Sequence, residues 1–446
     1  MFSKIVVANR GAVAARVLRS LKTLNIRSVA VYSEADAGAP YLADADEAVL
    51  IGPAAARESY LNQDILLQVM RDTHADGLHP GYGFLSENAG FARKIEDAGA
   101  RFIGPSARWI DAMGHKTRAR DWAARHGLPV GLGSRVLPND ITDVMRHALE
   151  IGFPLLVKPA GGGGGIGMIV VNEASELLNA VERARSMTLR GFANSDVYLE
   201  KYLNRPRHIE FQLLGDRHGN VRHLFDRDCS IQRRHQKVIE EACAPAIDRV
   251  KVNSLAKQVA DTFSKMGYDN IGTVEMLMDA NGTFSFLEMN TRLQVEHGVT
   301  EQITGVDLVA AQIASAAGLA LSDILPNDVR ADGHAIEARI YAEDSRRFLP
   351  SPGRLTTFRP PKGGQIRVET GYAEGRDVTM HYDPLLAKVI AHAPSRAAAI
   401  DVLLDAIRDF AVVGVKTNIT ALDTLLSSNQ FRDGEVHTGL LSELIS

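Results

Sequence analysis

The stretch that most restricts how this chain can fold runs from Glu275 to Glu301, EMLMDANGTFSFLEMNTRLQVEHGVTE. Two β-prone runs, TVEMLM and TFSFLEM, flank Asp-Ala-Asn-Gly. Asn-Gly between apolar runs is the strongest short-range hairpin signal. A two-residue turn at Asn281-Gly282 sets Glu275 opposite Glu288 and Thr273 opposite Asn290. Side chains alternate along a strand, so Glu275, Glu288 and Asn290 then share one face. Two carboxylates directly opposite each other repel. A divalent cation between them reverses the sign, and a small all-oxygen ligand set suits Mg²⁺ that also binds nucleotide phosphates. If the chain stays extended, Arg292, Gln294 and Glu296 continue the row, and a metal site runs into an anion site with a candidate base. The plain alternative is a solvated edge strand of mixed charge. Phe284 and Phe286, which the alternation puts on the same face, speak against it.

The 446 residues suffice for two to four domains, each with its own core. A net charge of −4 gives no reason to expect nucleic acid as a partner. Cys229 and Cys243 form no CxxC and no disulfide framework, which fits a reducing compartment. The opening MFSKIVVANRG already reads as a strand, so no secretory segment is expected, and no apolar run is long enough to span a bilayer. The expected location is the cytoplasm.

Residues 4–33 read strand, helix, strand, and further strand and helix signals to RFIGPS extend a doubly wound pattern. The first turn, ANRGAVA, lacks GxGxxG, so a nicotinamide site is not expected despite Glu34 and Asp36 after the second strand. HPGYGF is either a plain strand-to-helix turn or a ligand-facing loop. A helix over about Lys116–His126 leads through GLPV to FPLLVKPAGGGGGIGMIVV, two strands joined by glycines. Glycine there lets backbone N–H groups turn onto phosphate oxygens and leaves the loop free to act as a lid. Lys158 ends the strand before it, and Glu200-Lys201 in VYLEKYL offers a side chain and backbone to an adenine edge. The β pattern then resumes as RHIEFQLLG, VRHLFDRDC and SIQRRHQKVIEEA. His208, His218, His223 and His235 lack tight zinc spacing. RRHQK would face the acidic row, which favours Lys237 as an anion ligand over a solvated basic turn. Glu337 and Arg339 share a face of GHAIEARIYAED, and a β-rich segment around YDPLLAKVI with two helices closes the chain.

Taken together, HPGYGFLSEN, the Lys158 strand with GGGGGIGM, EKYLNRPRHIEFQLL, RDCSIQRRHQKVIEEA, EMNTRLQVEH and GHAIEARIYAED resemble the biotin carboxylases, the ATP-grasp subunit or domain of biotin-dependent carboxylases. The likeness runs from KIVVANRG to the C-terminal helices. It implies an α/β chain with an ATP-grasp fold: an N-terminal doubly wound domain over 1–114, a hinge and glycine-loop lid over 115–203, and a large mixed-sheet α+β part over 204–446. It implies that Lys116, Lys158, Glu200, Lys201, Leu203, His208, Gln232, His235 and the glycines Gly163, Gly164 and Gly165 contact ATP. It implies Mg²⁺ or Mn²⁺ on Glu275, Glu288 and Asn290, and bicarbonate on Lys237, Arg292, Gln294 and the backbone of Val295. Glu296 is then the general base and Arg339 the stabiliser of the biotin enolate.

The implied partners are a biotin carboxyl carrier protein, carboxyltransferase chains and a second copy of this chain, with neither nucleic acid nor membrane. No Met-Lys dipeptide marks a biotinyl-lysine here, so carrier and transferase are expected on separate chains or in regions cut away. Ile166, Gly298 and His115 depart from the residues frequent in the family. Ile166 and Gly298 are similar to the branch that carboxylates urea and related amides, the alternative to an acyl-CoA acceptor. The rival readings are another ATP-grasp carboxylate–amine ligase and a non-catalytic nucleotide-binding subunit. The intact row Glu275, Glu288, Asn290, Glu296 argues against the second.

Overall fold

A computed structural model describes residues 1–161, 167–192 and 195–445. The N-terminal part is a five-stranded parallel sheet in the order Glu47–Leu50, Arg27–Tyr32, Lys4–Val7, Gly77–His79, Arg101–Phe102. Strand order reverses on either side of Lys4–Val7, and such a switch point leaves a crevice at the strands' C-terminal ends. The HPGYGF loop leaves from that point. Asn9 pins it by donating to the carbonyls of Pro80 and Tyr82. Gly81 approaches Asn9 so closely that a Cβ there would lie 2.8 Å from its Nδ2. The following helix, Ala89–Asp97, is capped by Asn88, whose Oδ1 accepts from the Phe91 N–H at 2.8 Å. That cap fixes the preceding residue, Glu87.

The small middle part is a three-stranded antiparallel sheet in which Leu155–Pro159 lies between Ile169–Val171 and Val197–Lys201. It has its own apolar core, with Val144, Ala148, Val157, Val181 and Leu199. Pairing sets Lys158 across from Tyr198 and Leu156 across from Glu200. Gly163, Gly164, Gly165 and Ile166 lie outside the described residues.

The large part is built on an eight-stranded sheet in the order Phe284–Asn290, Ile271–Met278, Arg207–Gly215, Val221–Arg233, Gln236–Ala242, His334–Tyr341, Leu385–Ala393, Ile366–Thr370. The expectation of a mixed sheet is corrected in one respect, because every pairing in it is antiparallel. Short turns join several of the neighbouring strands, and a short turn can only join antiparallel ones. Val221–Arg233 runs unbroken through Cys229, where the sequence suggests a break. It turns at Arg234 and His235, both left-handed at φ 48° and 67°, as a tight hairpin of the primed class requires. Four helices follow Leu385–Ala393 rather than two: Arg396–Asp409, Ile419–Ser427, Asn429–Arg432 and Leu440–Ile445. Among the described residues no helix is long and apolar enough to cross a membrane, and Cys229 and Cys243 are free.

The hairpin of Ile271–Met278 and Phe284–Asn290 reaches its expected register by an unexpected route. Glu275 does pair with Glu288, and Thr273 with Asn290. The loop, however, has three residues, Ala280 to Gly282, between the paired Asp279 and Thr283. The Gly282 N–H donates to the Asp279 carbonyl at 3.0 Å, and Gly282 is left-handed at φ 73°, so this is a tight turn followed by a glycine bulge. A second irregularity between Glu275 and Met276, opposite Leu287, restores the register. It also reverses parity. Phe284 and Phe286 pack with Val274, Met276 and Met289 in the core on the opposite face from the acidic row, so they do not share the face of Glu288. Beyond Asn290 the chain is not extended. It turns at Val295-Glu296 into the helix His297–Thr304.

Candidate active site

One cleft of about 790 Å³ opens between the middle part and the large sheet. Lys116, Lys158, Glu200, Lys201, Leu203, His208, Gln232 and His235 line it, as do Lys237, Glu275, Glu288, Asn290, Arg292, Gln294, Val295 and Arg339. Glu296 lies just behind that wall, fully buried. Of the residues singled out in the sequence, Gly163, Gly164, Gly165 and Ile166 fall outside the described residues.

At the inner end three carboxylates meet one ammonium. Lys237 Nζ donates to Glu210 Oε2 at 2.7 Å, to Glu275 Oε1 at 2.8 Å and to Glu296 Oε1 at 2.6 Å. Glu296 Oε2 accepts from Arg339 Nη2 at 2.9 Å, and the same guanidinium touches Glu240. Burying a lone carboxylate costs several kcal/mol, while one close cation at protein-like dielectric returns about 4 kcal/mol, so more than one is needed. Glu296 has three. Burial alone raises its pKa, but Lys237, Arg339 and Arg227 outweigh burial and hold the carboxyl well below the usual range. It is an ionised acceptor at neutral pH. Glu240 shows the reverse balance: burial, helped by Glu296 and Glu337, outweighs Arg339 and pushes it up to about 8.

Arg292 spreads over the mouth of this pocket. Its Nε donates to Glu87 Oε2 at 2.8 Å, Nη1 to Gln294 Oε1 at 3.0 Å and Nη2 to Asn290 Oδ1 at 3.0 Å. Asn290 Nδ2 in turn donates to Glu275 Oε1 at 2.8 Å. The turn at Val295-Glu296 thus brings Arg292, Gln294 and Glu296 to the acidic row, although no extended strand carries them there.

The outer end is cationic and part-neutralised. Lys158 Nζ meets Glu200 Oε2 at 2.6 Å, and Lys116 Nζ meets Glu288 Oε2 at 2.9 Å. Despite burial, Glu200 keeps the Lys158 ammonium charged, with its pKa raised. The Lys201 ammonium is engaged by the carbonyls of Gly152 and Phe153. Gln232 bridges the two ends by donating to the Cys229 carbonyl and contacting His208 Nδ1 at 2.9 Å. His208 Nε2 lies 3.0 Å from Glu275 Oε2. Burial pushes the His235 imidazole down, so it presents a neutral ring to the cleft.

The metal-ligand expectation fits this geometry. Glu275 and Glu288 are opposite each other, Asn290 adjoins Glu275, and Lys237 and His208 overcome burial to keep Glu275 ionised. These are hard oxygen donors beside a phosphate-sized cationic cleft, which suits Mg²⁺.

Several contributors are not evident in the sequence. Glu210 is fully buried on Arg227 and Lys237, and only the alternation of His208, Glu210 and Gln212 along one strand face hints at it. Glu240 shares the face of Lys237 because of an irregularity between Ile231 and Gln232 in the pairing of their strands. Glu87 reaches Arg292 from the N-terminal part, and no local pattern announces a contact over that separation. The HPGYGF loop faces the site in the sense that it delivers Glu87.

The comparisons agree along the whole chain. Residues 1–110 match the profile described as biotin carboxylase, N-terminal domain. Residues 115–324 match the carbamoyl-phosphate synthase L chain ATP binding domain, and 337–443 the biotin carboxylase C-terminal domain. Biotin carboxylase 2 of Bacillus subtilis is 45% identical over 446 residues, covering 99% of this chain and 100% of its own. The biotin carboxylase of Halalkalibacterium halodurans is 46% identical over 445 residues, covering 99% and 98%. Among solved structures, the biotin carboxylase domain dimer of the Hydrogenobacter thermophilus 2-oxoglutarate carboxylase, in complex with MgADP, ADP and bicarbonate, superposes with a TM-score of 0.96 at 42% identity, covering 100% and 99%.

Proposed function

This chain belongs to the biotin carboxylase family and is an ATP-dependent ligase that carboxylates biotin with bicarbonate, and from that premise we propose how its side chains divide the work. ATP lies along the outer cleft, its phosphates toward Lys116 and Lys158 and its base toward Lys201 and Leu203, with Glu200, His208, Gln232 and His235 around it. Mg²⁺ is held by Glu275, Glu288 and Asn290. When bound it supplies charge to offset the phosphates.

Bicarbonate lies against Lys237, Arg292, Gln294 and the Val295 N–H. Glu296, ionised and 2.6 Å from Lys237, accepts the bicarbonate proton, and the bicarbonate oxygen takes the γ-phosphoryl group as ADP leaves. The carboxyphosphate so formed breaks to CO₂ and trianionic phosphate, the phosphate takes the N1 proton of biotin, and N1 attacks the CO₂. Arg339 stabilises the negative charge that this places on the ureido oxygen.

The observation that carries this division is the single carboxylate, Glu296, shared between Lys237 and Arg339. It joins an anion-activating cation to an oxyanion-stabilising one. The protein acts on biotin presented by a carrier, with the transfer half-reaction on a carboxyltransferase partner, and it works as a homodimer. Gly298 is buried in the first turn of its helix, where a Cβ would lie 2.5 Å from Ile390 Cδ1. The test is ADP release with MgATP, bicarbonate and biotin, together with capture of labelled bicarbonate as carboxybiotin. Biotin-dependent ADP release with label in biotin is expected. Release that depends on an added amine instead, with no labelled biotin, would favour the carboxylate–amine ligase.

A further inference from the structure

Beneath the turn that carries Gln294, Val295 and Glu296 lies a buried lysine that the reaction as described does not use. Lys388, on the strand Leu385–Ala393, is 1% exposed. Its Nζ donates to the Val295 carbonyl at 2.5 Å and lies 2.8 Å from Glu369 and 3.4 Å from Glu337. One residue earlier the Gln294 carbonyl is held too: His297 Nδ1 lies 2.8 Å from it, and the His297 N–H donates to it at 3.4 Å. A carbonyl can only accept, so Nδ1 carries the proton. Burial and Lys388 push the His297 pKa well down, so the ring is neutral and this tautomer persists.

A trans peptide points its N–H opposite to its C=O. The Gln294 carbonyl shares a plane with the Val295 N–H, and the Val295 carbonyl with the Glu296 N–H. Among the described residues neither of these N–H groups has a protein acceptor. Val295 lines the cleft beside Gln294 and Arg292. Close by, Gly298 packs against Ile390, with its missing Cβ 2.5 Å from Ile390 Cδ1.

We propose that His297 and Lys388 are positioning residues for bicarbonate: by holding the carbonyls of Gln294 and Val295 they turn the N–H groups of Val295 and Glu296 toward the cleft, as preset donors to the anion. The inference rests on the bicarbonate site proposed above and names what aims its backbone. Neither side chain touches substrate. Their effect therefore falls on bicarbonate rather than on ATP.

The test uses His297→Asn and His297→Gln, which differ by one methylene and so in where the amide sits. Asparagine places its N–H₂ near the Nδ1 position and glutamine near Nε2. The KM for bicarbonate in biotin-dependent ADP release is measured beside the KM for ATP, with Lys388→Met and Arg292→Gln in parallel. His297→Asn is expected to stay within about twofold of wild type. His297→Gln and Lys388→Met are expected to raise the bicarbonate KM about tenfold with the ATP KM unchanged. Equal bicarbonate KM values for His297→Asn and His297→Gln, with Arg292→Gln still raising it, overturn the positioning role alone. If Arg292→Gln also leaves the bicarbonate KM unmoved, the bicarbonate site itself is misassigned. Should Lys388→Met fail to fold, because Glu369 and Glu337 lose their cation, the His297→Asn and His297→Gln pair still decides.

Discussion

Glu296 is held by two cations with different duties, and substitution separates them. Glu296→Ala removes the proton acceptor for bicarbonate and is expected to lower every biotin-dependent step. Arg339→Ser removes the group facing the biotin oxyanion. It is expected to cut carboxybiotin formation by about a hundredfold, as for the loss of one transition-state donor. The slow bicarbonate-dependent ATP cleavage without biotin is expected to persist, because carboxyphosphate formation needs no biotin enolate. ADP release with and without biotin, read beside labelled carboxybiotin, distinguishes the two. Loss of both activities in Arg339→Ser would return that residue to the nucleotide or bicarbonate site. Glu288→Gln keeps the shape of a side chain that pairs with Lys116 but removes one anionic charge from the metal set. A sharp fall in ATP turnover, partly recovered at high Mg²⁺, is expected, and an unchanged kcat across Mg²⁺ concentrations would take Glu288 out of the metal site.

At the scale of elements, the hairpin shows both what the sequence discloses and what it hides. The pairing of Glu275 with Glu288 is legible from Asn281-Gly282 and the flanking alternation, yet two compensating irregularities, a three-residue loop and a bulge opposite Leu287, produce it. Hydrophobic alternation cannot reveal a bulge, since one inserted residue changes the facing of everything beyond it. For that reason plain alternation sets Phe284 and Phe286 on the wrong face while it sets Glu288 and Asn290 on the right one. The bend at Val295-Glu296 is equally hidden, because Arg292, Gln294 and Glu296 read as strand residues until the helix start at His297 is known. Glycines separate in the same way. Gly282 is left-handed with only Lys251 Nζ, at 3.9 Å, near its missing Cβ, so Gly282→Ala should cost about 1 kcal/mol and leave turnover intact. At Gly215 a Cβ would lie 2.4 Å from the Tyr268 backbone oxygen, so Gly215→Ala should cost more, about 2 to 3 kcal/mol. Urea unfolding of both variants measures the order, and equal losses would show that backbone conformation outweighs the clash.

In the whole molecule the N-terminal part is bound to the large sheet by buried charge. Arg16, on the helix Gly11–Thr23, meets Glu301 at 2.8 Å and Asp307 at 2.7 Å, with Glu369 at 3.6 Å. Arg16→Met leaves Glu301 and Glu369 buried and less compensated, and a loss of about 3 kcal/mol is expected from the urea midpoint. An unaltered midpoint would mean that Lys388 and Arg367 suffice for both carboxylates. The cleft that these parts enclose is lined with cations that have resident partners: Lys237 with Glu210, Glu275 and Glu296, Arg292 with Glu87, Lys158 with Glu200, and Lys116 with Glu288. Seen from solvent these pairs offset much of the cationic charge, so the cleft's long-range pull on a polyanion is weakened. Nucleotide encounter is therefore only weakly steered, and its rate in stopped flow should change little between low and physiological ionic strength. Each arriving phosphate or bicarbonate must instead displace a resident carboxylate from its cation. The enzyme carries its own competing anions, and an ion fails to settle unless it offers the lysine or arginine a better geometry than the glutamate already there.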